Sequence, residues 1–120
     1  MSIPTVTVTL NIPLELLSGA LCSAVEGGSS YWAALVKYTL DEEGILDCES
    51  VPDGRARWEF LDIEEDKTHT LDRAALLEGV RVLGEKYPAH LGSLLDEDRS
   101  DADTGDALLQ CALFGEILYG

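Results

Sequence analysis

The chain has 120 residues and a mass of 13.0 kDa, with 23 acidic and eight basic residues, a net charge of −15 and a pI of about 4.2. A length near the commonest domain size predicts one domain spanning residues 1–120, and a hydrophobic content of 46% excludes a disordered acidic tail. A chain this acidic repels polyanions, so direct binding to nucleic acid or to an anionic membrane is not expected.

The first third of the chain predicts a strand, a helix and a second strand. Threonine alternates with apolar residues over Thr5–Leu10, which is the period of a β-strand. A helical repeat of apolar residues follows, with Asn11 as a candidate N-cap and Gly27 and Gly28 at the C-terminal end. The apolar segment Tyr31–Leu40 predicts a second strand, although its pattern also fits one face of a helix.

A β-hairpin is predicted in the middle of the chain. Turn residues and acidic residues fill the connection 41–54. Residues 55–63 then alternate, with Trp58 and Phe60 on the inner face, and an acidic turn leads into Thr68–Leu71.

Two helices are predicted after the hairpin. Asp72 is the candidate N-cap of a helix that ends at Tyr87, where Pro88 helps to stop it. Asp103 or Asp106 is the candidate N-cap of a last helix. The predicted order is therefore β-α-β-β-β-α-α, an α+β domain with helices packed on a small, mostly antiparallel sheet.

The cellular compartment is predicted from the N-terminus and the cysteines. The first twenty residues lack the basic and apolar regions of an export signal, and no apolar run reaches the length of a membrane span. Cys22, Cys48 and Cys111 form no CxxC pair, which favours reduced thiols, with Cys22 and Cys111 in the core and Cys48 exposed. These observations predict a cytoplasmic protein.

The acidic residues are concentrated in two segments. Residues 41–66 hold eleven carboxylates against two arginines, a net charge of −9, and residues 96–106 hold six against one arginine, a net charge of −5. Residues 1–40 carry a net charge of −1 and residues 67–95 a net charge of +1. Most of the negative charge therefore belongs to two parts of the chain.

Three interpretations of these segments remain open. They can be solvated loops whose carboxylates cap helices and keep the protein soluble. They can be an adaptation to high salt, although the balanced charge of residues 67–95 argues against it. They can also present carboxylates to the basic groove of another protein, in competition with a phosphate backbone.

Chemical motifs are weak in this sequence. The run DADTGD at Asp101–Asp106 fails the calcium-loop pattern at three positions, and the glycines of EGGSSYW follow a helix instead of preceding one, as a phosphate-binding loop requires. His69 and His90 lie in no ligand pair or nucleophile motif. We therefore predict no enzyme, no cofactor and no metal; an enzyme is kept as a third alternative.

Two stretches resemble a known group of proteins. They are EGGSSYW, at Glu26–Trp32, and DADTGDALLQCALFGEILYG, at Asp101–Gly120. They resemble small proteins of tailed bacteriophages and prophages in which a GG-x-x-YW segment and an ALFGE-I-x-Y/F-G terminus recur. The resemblance implies a phage or prophage origin and a single domain ending in a helix, and it brings no established activity, cofactor or catalytic residue.

The leading hypothesis is a non-enzymatic phage accessory protein that binds a basic protein partner, as a nucleic-acid mimic that blocks a host defence complex. The alternative is a phage structural, assembly or self-associating protein, which forms a homo-oligomer through an apolar interface that includes Tyr31, Trp32 or the ILYG terminus. The predicted partner-binding residues are Asp41, Glu42, Glu43, Asp62, Glu64, Glu65, Asp66, Asp96, Glu97, Asp98 and Asp101.

Overall fold

A computed structural model of the chain describes residues 3–40, 48–96 and 101–120. Its elements, in chain order, are α1 (Leu14–Ser23), which a π-helical turn continues (Ala24–Gly28), β1 (Ala33–Leu40), β2 (Ala56–Asp62), β3 (Lys67–Leu71), α2 (Arg73–Lys86), α3 (Pro88–Leu95) and α4 (Ala102–Phe114). The α+β class is confirmed, with one helix before three strands and the remaining helices after them.

The three strands form one antiparallel sheet in the order β1-β2-β3. The predicted hairpin is confirmed, and in β2 both Trp58 and Phe60 are buried while Arg57 is exposed. A bulge interrupts the pairing of β1 with β2 between Leu35 and Lys37. The segment Tyr31–Leu40, which also fitted a helix, contains strand β1.

Helix α4 lies at the centre of the helical layer and packs against α1, α2 and α3. Every residue from Thr104 to Cys111 is buried, including the polar residues Thr104, Asp106 and Gln110. Among the described helices, none is long and apolar enough to cross a bilayer.

The helix caps confirm one prediction and correct two. The backbone N–H of Ala75 donates to the Asp72 carboxylate at 2.8 Å, so the predicted cap of α2 is confirmed. Helix α4 begins earlier than predicted: its N-cap is Asp101, which accepts from the backbone N–H of Thr104 at 3.0 Å. The N-cap of α1 is Pro13, not Asn11. Pro88, predicted as a stop signal, also begins the short helix α3.

The strand predicted at Thr5–Leu10 does not form. Residues 3–10 have no regular secondary structure and are exposed to solvent. Alternation specifies which face a strand would present, but a strand forms only where a neighbouring strand accepts its backbone hydrogen bonds.

The prediction of three reduced thiols is wrong for two of them. Cys22, in α1, and Cys48, in the turn that precedes β2, form a disulfide with a Cα–Cα distance of 5.7 Å. The pair is 26 residues apart, and the fold brings the end of a helix next to a turn, which short-range spacing does not reveal. Cys111 is free and buried, as predicted. The cysteines therefore no longer support a reducing compartment.

Candidate functional site

Six of the eleven predicted partner-binding residues lie in the described part of the chain. Asp41, Glu42, Glu43, Glu97 and Asp98 fall outside the described residues. The six that can be placed belong to the turn between β2 and β3 and to the region around α3 and α4.

The turn between β2 and β3 presents three consecutive carboxylates to solvent, those of Glu64, Glu65 and Asp66. Asp62 differs from them because only 1% of its surface is exposed. Its carboxylate accepts from the backbone N–H of Glu64 at 3.0 Å and from the Tyr119 hydroxyl at 2.8 Å. The prediction that Asp62 contacts a partner is therefore wrong; this residue holds the turn in place.

The second acidic segment lies at the start of α4. Asp101 is exposed while its side chain caps the helix, and Asp103 is exposed in the first turn. Asp96 is half-buried at the C-cap of α3. Asp101 therefore combines a structural role with a place on the surface.

Asp106 is the centre of a buried hydrogen-bond network that sequence reasoning missed. It is 8% exposed, and its carboxylate accepts from Ser29 Oγ at 2.8 Å, Trp32 Nε1 at 2.7 Å, Gln110 Nε2 at 3.0 Å and the Tyr31 hydroxyl. Four donors satisfy a carboxylate that would otherwise be costly to bury. The sequence carries one signal of this network. Asp106 and Gln110 lie four residues apart, on the face of the last helix that the apolar pattern predicts to be buried.

Gln110 extends this network to the C-terminal segment. Its side-chain oxygen accepts from the backbone N–H groups of Leu118 and Tyr119, both at 2.8 Å, and its Nε2 donates to the Tyr119 carbonyl at 3.1 Å. The Tyr119 ring stacks on Trp32 with centroids 5.4 Å apart. The two stretches that carry the phage resemblance therefore contact each other.

The two acidic segments meet around Trp32 and Tyr119. The Trp32 indole bonds to Asp106 of the second segment, and its backbone carbonyl accepts from the N–H of Ile63, at the end of β2, at 2.8 Å. The Tyr119 hydroxyl donates to Asp62 of the first segment. The two segments are thus connected inside the fold, through the buried residues Asp62, Trp32 and Asp106 and through Tyr119.

The pKa values of both tyrosines respond to this environment. Burial, followed by the hydrogen bond to Asp106, raises the pKa of Tyr31 to about 12, and the charge of Asp103 acts in the same direction. Burial, followed by the hydrogen bond to Asp62, raises the pKa of Tyr119 to about 12. Each tyrosine therefore keeps its proton as a donor to a carboxylate.

These raised pKa values predict that the protein loses stability in alkali. The unfolded chain releases each tyrosine proton near the ordinary pKa of 10.0, whereas the folded chain retains it until about 12. The unfolded state then binds fewer protons, so the free energy of unfolding falls as the pH rises from about 10 to 12. Burial also raises the pKa of the Cys111 thiol, to about 11, which adds to the fall.

Urea denaturation at about pH 8 and about pH 11 measures this effect. The double variant Tyr31→Phe/Tyr119→Phe should show a smaller fall between the two pH values than the wild type. An equal fall in both proteins would contradict the assignment to these tyrosines.

A cleft of about 460 Å³ opens beside this network. Three of the polar residues that line the cleft, Tyr31, Asp106 and Gln110, are hydrogen-bonded to one another, so they stabilise the fold before any ligand is considered. Among the described residues, no group of three or more His, Cys, Asp or Glu side chains could hold a metal ion. The residues that line the cleft include Tyr31, His90, Asp103, Asp106, Gln110 and Tyr119.

Comparison with known proteins adds no relative. No family model matches the chain, and no curated protein or solved structure matches it. The bacteriophage resemblance stays a prediction based on the two motifs.

Proposed function

We propose that this protein is a non-enzymatic binding protein that presents carboxylates to a basic surface of a protein partner. The observation that supports the proposal is the meeting of the two acidic segments around Trp32 and Tyr119. The carboxylates proposed to contact the partner are those of Glu64, Glu65 and Asp66 in the turn and of Asp101 and Asp103 at the start of α4, all of which are exposed.

A rigid support favours this role over that of solvated loops. The turn is held by Asp62, and the start of α4 is held by its cap and by Asp106. A backbone that is already fixed loses little freedom on binding, and the charge of the carboxylates that it carries accelerates encounter with a basic partner.

The most specific form of the proposal is a nucleic-acid mimic. A phage or prophage protein of this kind would occupy the nucleic-acid groove of a host defence complex, in the host cytoplasm. Cytosolic thiol systems reduce most disulfides, so binding has to be measured with the Cys22–Cys48 bond both oxidised and reduced.

Charge reversal tests the proposal. The variant Glu64→Lys/Glu65→Lys should recover at least about tenfold less of any basic partner from host lysate at low salt, because each reversal replaces attraction by repulsion. The matched control is Glu15→Lys/Glu26→Lys, which changes the net charge equally at exposed sites on α1 and the turn that follows it. Captured proteins are identified by mass spectrometry after salt elution.

Two results separate mimicry from charge alone. Double-stranded DNA should displace the captured partner from this protein if the partner binds through its own nucleic-acid groove. The control variant should capture as much partner as the wild type. If both variants capture equally less partner than the wild type, the effect comes from net charge and not from the position of the carboxylates. Unchanged capture by Glu64→Lys/Glu65→Lys would contradict the proposal.

The second candidate function is a self-associating or assembly protein of a phage particle. The exposed apolar segment at the N-terminus favours it.

A further inference from the structure

We propose that residues 5–10 of one copy of this chain add as a strand to the free edge of β1 in a second copy. Thr5–Leu10 form the N-terminal arm. This inference is independent of the acidic surface and its partner.

The N-terminal arm has the residue pattern of a strand, but within residues 3–40, 48–96 and 101–120 no strand pairs with it. Val6, Val8 and Leu10 expose 84%, 69% and 51% of their surfaces. Their spacing of two puts all three side chains on one face when the arm is extended, with the threonines on the other face. Three exposed apolar side chains in one row favour contact with another apolar surface, because their burial removes apolar area from water.

Strand β1 provides a matching surface. In the sheet, Leu35 is paired with Phe60 and Tyr38 with Trp58, so all four side chains lie on the same face. Phe60 and Trp58 are buried, whereas 36% of Leu35 and 55% of Tyr38 are exposed. The apolar core covers β2 and leaves the outer part of this face open along β1.

One edge of β1 carries no strand in the described part of the chain. Its ladder partner among the described residues is β2, which lies on one side of it. An extended segment placed along the other side would gain main-chain hydrogen bonds, the mode of recognition known as strand addition. The six residues of the arm fit the eight residues of β1, and Val6, Val8 and Leu10 would extend the apolar face of Leu35 and Tyr38.

The distribution of charge favours a second copy of this chain as the molecule that pairs with the edge of β1. Two molecules that each carry a net charge of −15 repel, so they associate most easily where the acid is absent. Residues 1–40 carry a net charge of −1, the arm has no charged residue, and β1 carries Lys37. Reciprocal exchange of arms closes a symmetric dimer.

Sedimentation equilibrium of the full-length chain tests the proposal. We expect a dimer or larger assembly at about 100 μM that persists in high salt, because salt screens the repulsion and leaves apolar contact intact. The variant Val6→Lys/Val8→Lys should weaken association at least about tenfold. Both side chains are exposed, so this change leaves the core untouched.

The matched control is Thr5→Lys/Thr7→Lys, which makes the same change of charge on the opposite face of the arm. It should associate at least ten times more tightly than Val6→Lys/Val8→Lys. Amide hydrogen exchange of residues 5–10 should show protection that increases with protein concentration. A monomeric wild type, equal association of the two variants, or protection that is independent of concentration would overturn the proposal; the last result would place the arm on its own chain.

Discussion

Replacing Asp106 with alanine should lower the free energy of unfolding by about 3–5 kcal/mol. The change leaves the Ser29 hydroxyl and the Trp32 indole N–H without their acceptor, and it removes one of the acceptors of the Gln110 amide, which still donates to the Tyr119 carbonyl. Trp32 and Gln110 are fully buried and Ser29 is 2% exposed, so these donors have little contact with solvent. Each unsatisfied buried group costs about 1–3 kcal/mol, and a domain of ordinary stability has about 5–15 kcal/mol in total.

Two further variants identify the cause of that loss. Asp103→Ala removes an exposed carboxylate one turn earlier in the same helix and should cost less than about 1 kcal/mol. Asp106→Asn keeps the side-chain volume but turns an NH₂ group towards hydrogen-bond donors, and should cost about 1–3 kcal/mol. Urea denaturation followed by tryptophan fluorescence measures all three.

A loss for Asp106→Ala no greater than that for Asp103→Ala would show that the network does not stabilise the fold. A negligible loss for Asp106→Asn beside a large one for Asp106→Ala would assign the effect to a cavity instead of to hydrogen bonding.

Alanine at Gly105 or Gly79 should also destabilise the protein, by about 3 kcal/mol each. A Cβ at Gly105 would lie 2.4 Å from the Ala20 carbonyl oxygen of α1, and one at Gly79 would lie 2.7 Å from the Ala112 backbone of α4. Backbone atoms cannot move away as a flexible side chain can, so α4 would have to separate from α1 or α2. Both helix contacts would then lose part of their packing.

Gly19 and Gly92 provide the matched controls. Both are helical, and a Cβ built on either meets no atom within 4 Å. Gly19→Ala and Gly92→Ala should therefore stabilise the protein by about 0.5–1 kcal/mol, the usual gain from helix propensity. Thermal denaturation of the four variants should separate them into two pairs, and destabilisation of all four would contradict the close-approach explanation.

Local features of this fold could be predicted from the sequence because a few neighbouring residues encode them. Alternation about Trp58 and Phe60 predicts the β2–β3 hairpin, and Asp72 before a helical repeat predicts the start of α2. The arm shows the limit of such patterns, since its alternation is that of a strand while no strand lies beside it among the residues that the structure describes.

The amino-acid sequence by itself determined the net charge of −15, its concentration in two segments and the α+β class. The tertiary structure decided which carboxylates face solvent. Asp62 and Asp106 look like their acidic neighbours in the sequence, yet they are buried by donors 57 and 77 residues away, Tyr119 and Ser29. The physical reason is that burial of a charge depends on how many hydrogen-bond donors reach it. Neighbouring residues supply some of these donors, such as Glu64 for Asp62 and Gln110 for Asp106, but the others come from distant parts of the chain that only the fold brings close.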